Sequence, residues 1–67
     1  MKQVLLKQVK ENEFFTLKPI EYPNDMQVYV RNHYDRSTKT YSASKYGDMM
    51  FERFFKPTKL VWIDFEF

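Results

Sequence analysis

The sequence predicts a mainly β fold, with one small antiparallel, barrel-like domain of the SH3 or OB type. We expect about five strands and one short helix over residues 1–67. Three observations predict this fold. The chain carries seven Phe, five Tyr and one Trp but a single Gly, and aromatic side chains favour strands. Several segments alternate apolar and polar residues with the period of a strand. Turn-forming clusters separate these segments.

Length and composition exclude several classes of protein. A chain of 67 residues forms one domain and buries only about 60% of its unfolded surface. With no cysteine, it can form neither a disulfide nor a thiolate metal site. A hydrophobic content of 43% argues against disorder. No apolar run is long enough for a membrane span or a signal peptide, so we expect a complete, cytoplasmic protein without a membrane or a cofactor.

The first elements are short. Residues 4–9 fit a strand and a helix about equally poorly, and residues 10–13 resemble a turn. Residues 14–18 are rich in strand-forming residues and end at Pro19, which cannot extend a central ladder. With Phe15 and Leu17 facing inward, Phe14 faces outward. Residues 20–25 contain strong turn chemistry and form a loop.

The clearest element is a hairpin. Residues 26–34 alternate, residues 35–38 suit a four-residue turn, and residues 39–46 return as the partner strand. If Tyr34 lies opposite Lys39, one face is mainly apolar and contains Val28 and Val30. The opposite face then combines basic, aromatic and hydroxyl side chains, namely Tyr29, Arg31, His33, Thr40, Ser42 and Ser44.

Two elements close the chain. Gly47 ends the hairpin strand, and Asp48 is a suitable N-cap for a short helix over residues 49–55 that packs its phenylalanines on the sheet. Residues 59–67 alternate again as a final strand. Its inward positions are Val61, Ile63, Phe65 and Phe67, which leaves Leu60 and Trp62 facing outward.

The strand segments also resemble a known group of proteins. The matching residues are Glu13 to Lys18, Val28 to Arg31, Tyr34 to Ser37, Lys39, Tyr41, Ser42 and Asp64 to Phe67. Over residues 13–67 the chain resembles small uncharacterised β-rich proteins of bacterial phages and mobile elements. The resemblance implies an accessory protein of a phage, plasmid or transposon, and it implies no catalytic residues.

The sequence lacks the residue sets of common enzymes and metal sites. His33 is the only histidine, so a two-histidine metal site within one chain is excluded. His33, Asp35 and Ser37 have suitable types for acid–base chemistry, but their spacing crosses a turn and predicts no buried pocket. We therefore expect a protein without catalytic activity and without a bound metal.

A basic and aromatic surface on the hairpin is the leading functional candidate. Residues 27–46 carry a net charge of +3, because four cationic residues outweigh Asp35. Aromatic rings that stack on bases, beside cations that contact phosphates, are typical of nucleic-acid binding on small β domains. The candidate residues are Tyr29, Arg31, His33, Arg36, Lys39 and Lys45, with single-stranded or duplex nucleic acid as the partner. The same alternation also fits a plain solvent-facing side of a sheet.

An apolar surface is the second candidate. Phe14, Leu60 and Trp62 face outward in the predicted strands, and clustered exposed apolar residues mark interfaces. The alternative is that Trp62 belongs to the core. If the cluster is exposed, its partner is a second copy of the chain. A protein of the host cell is the other candidate partner, with Tyr29, Leu60 and Trp62 as the anchor residues.

Overall fold

The computed structural model describes all 67 residues and consists of six strands and one short helix. The elements are β1 (Lys2–Leu5), a 3-10 helix (Leu6–Gln8), β2 (Phe14–Thr16), β3 (Val28–Asp35), β4 (Thr40–Lys45), β5 (Asp48–Phe55) and β6 (Leu60–Ile63). The prediction of a mainly β, antiparallel fold is confirmed.

The strands form one open sheet in the order β1-β6-β2-β3-β4-β5, in which all neighbours are antiparallel. β1 and β5 are the two edges, so the sheet does not close into a barrel. β2 and β6 share a single paired position, Thr16 with Trp62. The β1–β6 pair therefore attaches to the other four strands through a narrow junction.

The predicted helix over residues 49–55 is wrong, because this segment forms the edge strand β5. Tyr46 and Gly47 link β4 to β5 as a two-residue turn, and the Gly47 N–H donates to the Asp25 carbonyl at 3.0 Å. A Cβ on Gly47 would lie 3.0 Å from Asp25 Cβ and 3.2 Å from the Asp25 carbonyl carbon, so a larger residue requires the turn to shift. The tight turn reverses the chain, and β4 then supplies the hydrogen bonds of the new strand.

The hairpin of β3 and β4 is confirmed, but its predicted register is wrong. Lys39 has a φ of 56° and belongs to the turn, so the first pair is Asp35 with Thr40. An irregularity between Arg31 and Tyr34 then shifts the register once more. The net slip of one residue places Arg31 opposite Ala43 rather than Ser42, and such a slip exchanges which side chains share a face.

Both faces of the sheet are packed where β2 and β3 meet. One face, here called the core face, carries a cluster of buried apolar residues that includes Val4, Leu6, Val9, Phe15, Tyr29, Ala43, Phe55 and Val61. The other, here called the reverse face, carries Thr16, Val28 and Val30, all of which are buried. The predicted assignment of Val28 and Val30 to a buried face is therefore right, but the face opposite them is buried as well.

The C-terminal segment packs against the reverse face. β6 ends at Ile63, and Asp64 adopts a left-handed φ of 59°, so the predicted strand does not continue to residue 67. The Phe67 ring instead contacts the rings of Phe14 and Tyr46 edge-on, with centroids 5.6 and 5.0 Å apart. This aromatic trio covers part of the reverse face beside β2.

Candidate functional site

Positive charges and aromatic rings lie together on the core face of β3, β4 and β5. The Arg31 guanidinium carbon is 4.2 Å from the ring centroid of Tyr41. Lys45 Nζ is 4.4 Å from the ring centroid of Phe51, and the Arg53 guanidinium carbon is 5.1 Å from that of Phe55. We call these six residues the cation–aromatic surface, in which Phe55 is a buried ring of the core cluster that lies beneath Arg53. Each cation is attracted by the electron-rich face of its ring.

The strand register explains why these cations lie side by side. Arg31 on β3 and Arg53 on β5 both pair with Ala43 on β4, so the two arginines flank one small residue. Because β4 lies between β3 and β5, the backbones of Arg31 and Arg53 are two strand spacings apart, or about 10 Å. Ala43 is fully buried because larger neighbours cover its short side chain.

Arg31 carries an unusual polar group. Its Nε–H is buried and has no hydrogen-bond partner. An unpaired buried donor costs about 1–3 kcal/mol, so such groups are rare in folded proteins. The Arg31 guanidinium lies over the Tyr41 ring, and no carboxylate accepts a hydrogen bond from it.

The nearby carboxylates take part in local bonds. Glu52 lies on the reverse face of β5, where the Ser42 hydroxyl donates to its Oε2. Asp48 lies opposite Lys45 in the register and accepts the Met50 N–H through Oδ1. Asp35 is the remaining carboxylate of these three strands. It accepts a hydrogen bond from the turn between β3 and β4, and it pairs with Thr40 at the turn end of the hairpin, away from the three cations.

That turn holds Asp35 in its charged form. The Ser37 hydroxyl donates to Asp35 Oδ1 at 2.7 Å, and the Ser37 N–H donates to the same oxygen at 2.9 Å. These two bonds, the hydroxyl first, hold the pKa of Asp35 below its ordinary value. The bonds also fix the turn that carries Arg36 and Lys39.

The structure separates the predicted hairpin residues into three groups. Arg31 and Lys45 belong to the cation–aromatic surface. His33 is exposed in the irregular part of β3, and Arg36 and Lys39 are exposed in the turn. These three residues remain accessible but do not lie over an aromatic ring.

The expectation that Tyr29 is exposed for stacking is wrong. Its side chain is only 5% exposed and stacks on Phe15, with ring centroids 5.7 Å apart. The Phe55 ring meets it edge-on at 5.8 Å. Tyr29 is buried because Phe15 on the neighbouring strand β2 and Phe55 at the end of β5 pack against its ring. It is therefore a core residue.

Four residues of the surface are absent from the sequence-based candidates, namely Tyr41, Phe51, Arg53 and Phe55. The last three lie in the segment that the N-cap and the spacing of its phenylalanines assigned to a helix. The signal that favours a strand is the two-residue interval with Gly47 between two aromatic-rich segments, which is typical of a hairpin. In a strand, alternate residues share one face, which places Phe51, Arg53 and Phe55 together.

The second predicted cluster lies on the reverse face. Thr16 pairs with Trp62, so Phe14, Leu60 and Trp62 share this side of the sheet. Leu60 is 51% exposed, Phe14 is also exposed, and Trp62 is half-buried. The structure thus brings the three residues onto one face and leaves part of each accessible.

The concave regions of the surface lie elsewhere. The larger cleft, about 330 Å³, is lined by Gln8, Val9, Asn12, Glu13, Phe14, Ile63 and Asp64. Gln8 and Glu13 accept backbone N–H groups of Leu5 and Lys10, so their oxygens stabilise the local chain. His33 lines neither this cleft nor the smaller one beside Tyr29. No three histidine or carboxylate side chains come together where they could hold a metal ion.

Comparisons with other proteins give no family. The chain matches no protein-family model, no curated protein and no solved structure. The structure contains no helix with the length and apolar character needed to cross a membrane. The resemblance to phage and mobile-element proteins stays a prediction.

Proposed function

We propose that the protein binds nucleic acid through the cation–aromatic surface and does so without catalysing a reaction. The observation that supports this proposal is the placement of three cations, Arg31, Lys45 and Arg53, over aromatic rings on one face of adjacent strands. Nucleic-acid ligands offer both groups that such a surface attracts, namely phosphates and flat bases.

The electrostatics favour a polyanion over an apolar ligand. The three cations project from β3, β4 and β5, and Glu52 points to the opposite side of the sheet. Arg36 and Lys39 in the neighbouring turn extend the positive charge along the hairpin. A phosphate backbone that crosses these strands meets several cations in succession, in the manner of OB-like modules.

The direct test is a titration of fluorescein-labelled oligonucleotides by anisotropy over a range of salt concentrations. With three phosphate contacts on a single strand, log Kobs should fall against log salt with a slope of about −2. This slope corresponds to about 20-fold weaker binding between 50 and 200 mM salt. No binding at high micromolar protein in low salt would refute the proposal.

A charge-removing variant locates the binding surface. Arg53→Gln should weaken binding and reduce the magnitude of the salt slope by about 0.7, because one phosphate contact is lost. Lys2→Gln is the matched control, since it removes the same charge from β1, the opposite edge of the sheet. Equal losses in the two variants would mean that net charge alone drives binding.

A second candidate function is binding of a host-cell protein through the reverse face. The observation that favours it is the shared face of Phe14, Leu60 and Trp62, with Leu60 half exposed.

A pulldown from bacterial lysate separates the two candidate functions. A band that nuclease removes supports nucleic-acid binding. A band that resists nuclease and high salt, and that Leu60→Asp abolishes, supports the protein partner. Sedimentation of the purified protein tests the predicted homodimer.

A further inference from the structure

We infer that the ligand is a single strand and that Phe51 is the residue on which its base stacks. This inference rests on the proposed nucleic-acid function and names the strand state and the contact residue. The ring predicted to stack, Tyr29, is buried between Phe15 and Phe55. On the same face of the sheet, Phe51 is 39% exposed and lies outside the buried cluster.

The setting of Phe51 suits a base. Lys45 Nζ lies over its ring, so a base that stacks on the accessible part of the ring stays close to an ammonium group. Arg53 follows two residues later on the same side of β5, with its backbone about 7 Å along the strand and its guanidinium over the Phe55 ring. An aromatic platform beside two cations matches a nucleotide, which joins a flat base to a charged phosphate.

Tyr41 completes the arrangement at the other end of the surface. It lies four residues from Lys45 on β4, which corresponds to about 13 Å along the strand. The Arg31 guanidinium covers its ring, and Tyr34 contacts it edge-on at 5.0 Å. Tyr41 is therefore less accessible than Phe51, and we assign to it a supporting contact beyond the first base.

Stacking on Phe51 requires an unpaired base. In a duplex, neighbouring base pairs cover both faces of each base, so an aromatic side chain on a sheet surface reaches only the backbone. In a single strand the bases can turn outward and stack on such a ring. A surface that used only its cations would bind both duplex and single-stranded nucleic acid through their phosphates, without a requirement for unpaired bases.

The test compares three probes of equal length, about ten nucleotides, which is within the range of a small site. The probes are an oligothymidylate, the same strand with abasic sugars throughout, and a duplex. Loss of stacking on one ring corresponds to about 10-fold in affinity. We therefore expect the wild-type protein to bind the oligothymidylate about 10-fold more tightly than the abasic strand. An oligouridylate of the same length distinguishes RNA from DNA.

Variants of β5 assign the effect to Phe51. Phe51→Leu should abolish the preference for bases, so that the oligothymidylate and the abasic strand bind equally tightly. Phe54→Leu is the matched control, because Phe54 is 55% exposed on the same strand but faces the reverse side. Phe51→Tyr keeps the ring and should keep the preference. Circular dichroism verifies that each variant is folded, and the wild-type probe comparison stands without any variant.

The outcomes distinguish this inference from the proposed function. If no probe binds, the proposed function itself fails. If all three probes bind equally and Arg53→Gln weakens each of them, nucleic-acid binding stands and the stacking role of Phe51 is refuted. A loss of base preference in Phe54→Leu rather than Phe51→Leu would place stacking on the reverse face and would also overturn the inference.

Discussion

Replacement of Tyr29 by leucine tests whether this residue acts in the core or at the surface. Tyr29 makes two aromatic contacts, a stacked one with Phe15 and an edge-on one with Phe55. Each such pair contributes about 0.5–1.5 kcal/mol beyond its buried area, so loss of both costs about 1–3 kcal/mol. For a chain of 67 residues the whole free energy of unfolding is about 3–10 kcal/mol. Tyr29→Leu should therefore lower the Tm by roughly 4–24 °C.

The assay is thermal unfolding followed by circular dichroism, together with oligonucleotide titration at a temperature where both proteins are folded. Tyr22→Leu is the control, because Tyr22 is 73% exposed and its loss should change stability by less than about 0.5 kcal/mol. We expect Tyr29→Leu to bind single strands as tightly as the wild type. An unchanged Tm combined with a large loss of affinity would refute the core assignment.

Two further perturbations test the turns. Gly47→Ala should destabilise the protein by about 1 kcal/mol in urea denaturation, because the new Cβ would lie 3.0 Å from Asp25 Cβ and 3.2 Å from the Asp25 carbonyl carbon. A gain in stability would show that the turn has room for a methyl group. Ser37→Ala should raise the pKa of Asp35 toward its ordinary value, as measured by NMR titration of the carboxyl group. Because the pKa of Asp35 is lowered on folding, its contribution is present above the unfolded value and is lost as pH falls through the folded one. The variant should therefore lose less stability in acid, and an unchanged pKa would contradict this.

The hairpin could be predicted from the sequence, but its register could not. Alternation over residues 26–34 and the turn chemistry of residues 35–38 identify two strands. Lys39 adopts a left-handed conformation that is uncommon for residues other than glycine, so it joins the turn and moves the predicted pairing by two residues. A shift of two keeps each side chain on its face, because the side-chain period of a strand is two. The irregularity between Arg31 and Tyr34 moves the pairing by one residue and decides which side chains accompany Arg31.

The edge strand shows a different limit of sequence-based prediction. An aspartate followed by apolar residues with helical spacing satisfies the local rules for a short helix. In the folded protein, the hydrogen bonds offered by β4 and the fit of Gly47 against Asp25 outweigh that preference. Phe51 and Arg53 were not predicted for this reason, although Arg31 and Lys45 already indicated the basic character of the hairpin.

The position of β5 at the edge of the sheet links ligand binding to local order. β5 pairs with only one neighbour, β4, and it carries Phe51 and Arg53. Edge segments with one hydrogen-bonded neighbour open at lower free energy than central strands. Under the proposed function, a single strand that contacts both β4 and β5 would bind only the paired form and so would shift the opening equilibrium toward that form. The apparent affinity would then equal the intrinsic affinity multiplied by the fraction of molecules in which β5 is paired, and a substitution that secures this strand would raise the apparent affinity without contacting the ligand.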